Sequence, residues 1–414
     1  MLTTLRKLTM AWPLVIFLLL PALTRGETAI QAWVQRYSGP GNGDDAAYAV
    51  AVDGSNNVIV TGEGSSDNYA TIKYSSAGLP LWTNLYNGPG NGSGRTSAMA
   101  VDGSNNVVVT GNSTGSGSSE DYATIKYSSA GVPLWTNRYN GPRNNRDVPY
   151  AMAVDGSNSV IVTGYSLSSE ISADYATIKY SSAGVPLWTN RYNGPGSSGG
   201  VANAIAVDSS NSVIVTGYSL SAESLGPADY ATIKYSSAGL PLWTNLYNGP
   251  GNDADAAFAV AVDSNNNVIV TGTSIGSGSG NDYATIKYSS AGVPLWTNRY
   301  DGPGNSNDVA TAMVVDHSGN VIVAGYSTGI GSGYDFATIK YVFPLVITDC
   351  ELTNGMLQVQ VDNLQTGKLV IEASTNLAGW LPIFTNTTPT NVLFYTDPDA
   401  TNYPGRFYRA FQFR

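Results

Sequence analysis

The chain writes one stretch of sequence six times. Its clearest copy, residues 151–195, reads AMAVDGSNSVIVTGYSLSSEISADYATIKYSSAGVPLWTNRYNGP. Recurrence at this period selects solenoids, propellers or arrays, because each copy must bury its apolar face against its neighbours. The recurring tryptophans are Trp33, Trp82, Trp135, Trp188, Trp243 and Trp296, at steps of 49, 53, 53, 55 and 53 residues. An Asp follows each Trp by 20 residues (Asp53, Asp102, Asp155, Asp208, Asp263, Asp316). A Gly follows each Asp by nine (Gly62, Gly111, Gly164, Gly217, Gly272, Gly325). All the length variation falls in one connection, from that Gly to the YATIKY or FATIKY motif, which runs 7, 11, 11, 13, 11 and 11 residues.

Each copy predicts four short strands. AMAVD is short and Ala-rich, NVIVTG is β-branched after a turn rich in Asp, Gly, Ser and Asn, and DYATIKY and PLWTNRY flank an SSAG turn. Four strands in about 50 residues is the size of a propeller blade. The order of the copies argues for a closed ring. The chain begins with a lone fourth strand, residues 32–37, and its sixth set of three ends at Tyr341 with no PLWTN after it. Six fourth strands and six sets of three balance if the first strand completes the last blade, which removes the exposed edges. The expected fold is all-β: a six-bladed β-propeller over residues 27–341, closed by its N-terminal strand, then a small β-sandwich over residues 342–414. In that last part LVITDCEL, MLQVQVD, KLVIEAS, WLPIFTN, NVLFYTD and RFYRAFQ read as strands between turn residues.

DHSGNVIVAGYSTG (residues 316–329) and DGSNNVIVTG (residues 53–62) resemble the bacterial SBBP-type β-propeller repeat, whose core is Asp-x-x-Gly-Asn, a β-branched run and Gly. The resemblance covers residues 32–341, and only the sixth copy keeps the Gly of that core, Gly319. It implies a secreted or surface protein with no assigned catalysis. Kelch repeats are the runner-up, but their Gly-Gly doublet after the second strand is missing. The Trp-Asp close of WD40 units is absent too. IEASTNLAGW (residues 371–380) and FYTDPDATNYPGRFYR (residues 394–409) resemble a C-terminal module of large secreted proteins of environmental bacteria.

Residues 1–26 read as a secretory signal peptide, with Arg6 and Lys7 before an apolar run too short to span a bilayer. The expected location is therefore secreted or cell surface, with no membrane span after cleavage. The formal net charge is −10, so no nucleic-acid partner is expected: phosphate binding needs a basic surface. Cys350 is the single cysteine, which excludes an intrachain disulfide and a Cys-based metal site.

Chemistry has few carriers. His317 is the only histidine and lies in the tight turn DHSGN, where a solvated turn residue is expected. No nucleophile elbow, zinc motif or phosphate loop occurs. The six repeat Asp residues after Trp are expected to make Asx-type turn bonds; a calcium loop of the EF-hand kind fails because its twelfth residue is never Glu. Lys73, Lys126, Lys179, Lys234, Lys287 and Lys340 are expected to pack their stems along aromatics with solvated heads.

Two further sets of acids are expected to share one end of the ring, together with the variable connections. Asp45, Asp147, Asp255 and Asp308 precede the first strands. Asp121, Asp174, Asp229, Asp282 and Asp335 open the third strands. Glu63, Glu120, Glu170 and Glu223 lie in the variable connections. No cofactor is expected, though calcium on Asp45, Asp147, Asp255 and Asp308 is weighed as a cation-binding mouth. The expected function is a non-catalytic binding or scaffold protein, with an extracellular protein or glycan as partner and the acidic face drawing cations or basic groups. The alternative is a secreted sugar or lactone hydrolase or lyase at the channel mouth. The two differ in where polar residues unique to one copy fall: clustered at the mouth they favour an enzyme, scattered on loops they favour recognition.

Overall fold

The computed structural model describes residues 30–413, apart from 41–42, 65–67, 91, 170–171, 198, 222–226, 344–345, 354–355, 363–367, 388–392 and 404–405. The expected signal peptide, Glu170 and Glu223 therefore lie outside the described residues. Residues 1–36 and 37–414 form two separate units. In the first, the described residues carry no helix or strand.

The second unit is all-β. Residues 46–86, 94–139, 147–192, 200–247 and 255–300 each form a four-stranded antiparallel sheet whose spatial order follows the chain. These are blades of the propeller type. The sixth, residues 308–341, has three strands among the described residues. The expected closing strand, residues 32–37, is not a strand here. An extended segment becomes one only when its amides and carbonyls enter a ladder, and residues 32–37 enter none. Six more strands follow at the six stretches read from the sequence, in two three-stranded sheets (346–353, 356–362 and 393–397; 368–374, 381–386 and 407–413). Leu369 and Ile371 of the second sheet share a hydrophobic cluster with Leu393 and Tyr395 of the first.

The recurring spacings follow from how one blade meets the next. The third-strand tyrosines Tyr69, Tyr122, Tyr175, Tyr230 and Tyr283 are among the largest fully buried side chains. Tyr175 and Ile161 of blade three pack against Val213, Val215, Ala231 and Ile233 of blade four, and the other boundaries repeat this. Burying each such side chain contributes roughly 1.5–3 kcal/mol. The Tyr175 hydroxyl donates to the Ala231 carbonyl at 3.1 Å, so no polar atom is stranded there.

Two glycines show why the motifs tolerate no substitution. The first strand bulges where it pairs with Thr163 and Gly164, and a Cβ on Gly164 would lie 2.1 Å from the Val148 carbonyl oxygen. Gly184, in the SSAG turn, has φ +83° and lies under Trp135 of the preceding blade, 2.6 Å from where a Cβ would sit.

Five of the six repeat lysines are buried, contrary to expectation; Lys340 of the last blade is exposed. Lys126 and Lys179 are 2 % and 3 % exposed. Each ammonium sits 2.7–2.8 Å from the turn Asp of its own blade, Asp102 and Asp155. The same Asp takes the Asx bonds that were expected: Asp155 Oδ1 accepts from the amides of Ser157 and Ser159. Each ammonium also donates across the boundary, Lys126 to the Ser182 carbonyl and Lys179 to that of Ser237. The charged head is buried because its partner, 24 residues away in the turn of the same blade, is buried with it, and a carbonyl of the next blade completes the site, an arrangement that no local pattern reveals.

Candidate functional site

The variable connections and the two sets of acids do meet at one end of the blades. Three of the five boundaries bring a third-strand acid of one blade beside the first-strand acid of the next (Asp121 and Asp147, Asp229 and Asp255, Asp282 and Asp308). The charge of Asp121 raises Asp147, and that of Asp255 raises Asp229, in both cases after burial as the larger cause. Asp282, Asp301 and Asp308 place carboxylate oxygens within 4.8 Å of one another. These acids face inward: Asp121, Asp147, Asp174, Asp255, Asp282 and Asp308 are all buried. Asp147, Asp255 and Asp308 each accept from a glycine amide in the connection before them (Gly141, Gly249, Gly302), as Asp45 does from Gly39. Asp335 is exposed and accepts from Ser332. The four acids weighed for calcium therefore stand on four separate connections and do not form one site.

Arginines balance most third-strand acids. Arg138 pairs with Asp121 at 2.9 Å, Arg191 with Asp174 at 2.8 Å and Arg299 with Asp282 at 2.7 Å. Blade four has Leu246 at that place, so Asp229 has no arginine. Burial, and then the Asp255 charge, push its carboxyl from 3.8 up to about 6. Blade one solves the same problem with Asn68 opposite Leu85. The folded state therefore holds the Asp229 proton to higher pH than the unfolded chain. Stability is lost as pH rises from about 4 through about 6, and the loss is complete above that. Asp229→Asn is expected to stabilise the protein by about 1–2 kcal/mol at pH 7.5, after discounting for solvent screening. The gain should vanish at pH 4, and thermal melting at the two pH values reads it. A variant no more stable than the parent at pH 7.5 would sink this account.

One groove of about 600 Å³ opens at the same end, across the first strands of blades one to three. It gathers four charged residues whose types occur at their repeat positions in one copy only, Glu63, Arg95, Glu120 and Arg146, while Arg143, Asp253 and Asp301, also found in one copy, fall outside it. Arg95 stands where the other copies have Ala46, Val148, Val201, Ala256 and Val309. Arg146 pairs with Glu120, and the Tyr48 hydroxyl donates to Glu63 at 2.8 Å. The Glu63 bond, first among several causes, raises the Tyr48 phenol. The Arg95 guanidinium lies over the Tyr48 ring, 4.3 Å from its centroid. Tyr150 and Tyr165 form a tilted pair on the far wall, with centroids 5.7 Å apart. Tyr48 and Tyr150 are 40 % and 44 % exposed. Of the acids expected here, Glu63 and Glu120 line the groove. Arg95, Arg146 and the tyrosines were missed, and the signal that could have found them is their departure from the repeat consensus.

No family model matches the chain. An uncharacterized WD repeat-containing protein of Acanthamoeba polyphaga mimivirus is 32% identical over 111 residues, which is 23% of this chain and 8% of that protein. The chain thus spans a small fraction of that relative's length. Among solved structures, a glucose dehydrogenase aligns over 73% of this chain and 98% of its own, at 8% identity and a TM-score of 0.40. Drosophila Plexin A in complex with Semaphorin 1b aligns over 76% and 83%, at 10% identity and a TM-score of 0.39. Likenesses this distant carry no argument about activity.

Proposed function

We propose that the chain is an exported, non-catalytic binding protein whose blades present a ligand site at the end bearing the variable connections. The observation that carries this is the convergence of Glu63, Arg95, Glu120 and Arg146, each unique within the repeat, in one groove. A framework held to fixed spacings while one set of loops varies suits a scaffold for recognition. In the same proposal the six blades close into a ring, with residues 32–37 completing blade six, and residues 342–414 form a sandwich module of bacterial surface proteins.

Clustering of unique polar residues also speaks for the second reading, a sugar or lactone hydrolase or lyase, since Glu63 and Glu120 share the groove. Both carboxylates are committed, Glu63 to Tyr48 and Glu120 to Arg146, which favours binding over proton transfer. A glycan array probed with the mature protein, followed by loop exchange, tests the choice. Replacing the 165–174 connection of blade three by the short 63–68 version removes Tyr165 and should weaken any captured ligand at least tenfold. Unchanged binding, or turnover of the ligand abolished by Glu120→Gln, would overturn the binding reading.

A further inference from the structure

We infer that the groove takes an acidic oligosaccharide, one built of uronic acid units; this rests on the binding reading above and names its ligand. The groove is polar, and Val148 is its one aliphatic wall residue, whereas sites for apolar ligands are lined mainly by hydrophobic side chains. Its apolar surface is instead aromatic, supplied by Tyr48, Tyr150 and Tyr165, with Tyr48 and Tyr150 partly exposed. The C–H-bearing face of a sugar ring stacks on such a face, because the ring's negative quadrupole meets weakly positive hydrogens. Hydroxyls around the sugar then need acceptors and donors at its rim, which Asn112 and Glu63 supply.

The charge selects the acid form. Among the described residues, Arg146 is paired with Glu120, while no ion pair is made by Arg95. Its guanidinium rests on the Tyr48 ring at the wall of the groove, where its donors can meet a ligand. A planar fork matches a carboxylate with two parallel hydrogen bonds. A phosphate dianion would carry twice the charge against Glu63 and Glu120, so a single carboxylate per sugar unit is the better match.

Calorimetric titration tests this with trisaccharides of galacturonic, mannuronic and guluronic acid, each beside its methyl ester, which keeps the rings and removes the charge. EDTA in the buffer excludes calcium bridging. At least one acid trisaccharide should bind ten times or more tighter than its ester, and 0.5 M salt should narrow the gap. Arg95→Met, at an exposed position that leaves the fold intact by circular dichroism, should bring the acid down to its ester while the ester is unchanged. Tyr150→Ala should weaken both. If acid and ester bind alike, if Arg95→Met leaves the acid's affinity unchanged, or if no uronate binds, the ligand class is wrong. If a different glycan binds and Tyr150→Ala abolishes it, the ligand class falls and the binding reading stands.

Discussion

Lys179→Met is expected to cost about 3–5 kcal/mol of stability, the loss that follows when one partner of a buried ion pair is removed. The side chains of Lys179 and Asp155 are 4% and 2% exposed and 2.8 Å apart. Without the ammonium, Asp155 keeps its two amide donors on Oδ1, but Oδ2 is left as a buried charge with no counterion. The boundary with blade four is weakened as well, because the Ser237 carbonyl loses its Lys179 donor while Trp188 still reaches it at 3.1 Å. The double variant Lys179→Met, Asp155→Asn should recover part of the loss, since it removes the stranded charge and keeps an amide that can serve the turn. Urea unfolding of the parent, Lys179→Met, Asp155→Asn and the double variant measures it. If the single variant is as stable as the parent, or the second substitution adds its own full loss, the pair is not the element that ties turn to blade.

This pair marks where sequence reading stopped. The four strands per blade and the connections that vary were legible because they depend on local period and turn chemistry. Asp155 as a turn residue was legible for the same reason: its bonds run to residues two and four places on. The burial of Lys179 was not, because its partners lie in another strand and another blade. The acids at the variable end were legible as neighbours from topology alone, yet not as buried ones. Glycine amides and arginines from strand four, such as Arg191 on Asp174, enclose them. Arg95 was passed over because a repeat is read through what its copies share, and a site on a repeat is built from what one copy does not share.

Deleting residues 27–40 is expected to cause aggregation or a large fall in melting temperature, because the first and last blades expose surfaces that every internal boundary buries. Phe336 is fully exposed, whereas its five counterparts from Tyr69 to Tyr283 are buried. Val50 and Val52 on blade one are 69% and 57% exposed, whereas Met99 and Val101 pack against the blade before them. Repeat equivalence makes these two faces complementary. Tyr37, Gly39 and Asp45 already stand as residues of a connection leaving a fourth strand do. Tyr37 is raised by burial and then by the charges of Asp45 and Tyr74, the relation Tyr86 bears to Tyr127, and the Gly39 amide meets Asp45 as Gly141 meets Asp147. A strand ending at Tyr37 and paired with residues 334–341 would cover the open edge of blade six. The deletion also removes Tyr37 from blade one, so a second variant at the other end of the chain isolates closure. Lys340 is 51% exposed. In a closed ring it is buried at the blade-one turn, and Lys340→Met should lower the melting temperature as far as Lys179→Met does. If the deleted chain stays monomeric with unchanged melting, or Lys340→Met is harmless while Lys179→Met is not, the blades form an open array and the ring is wrong.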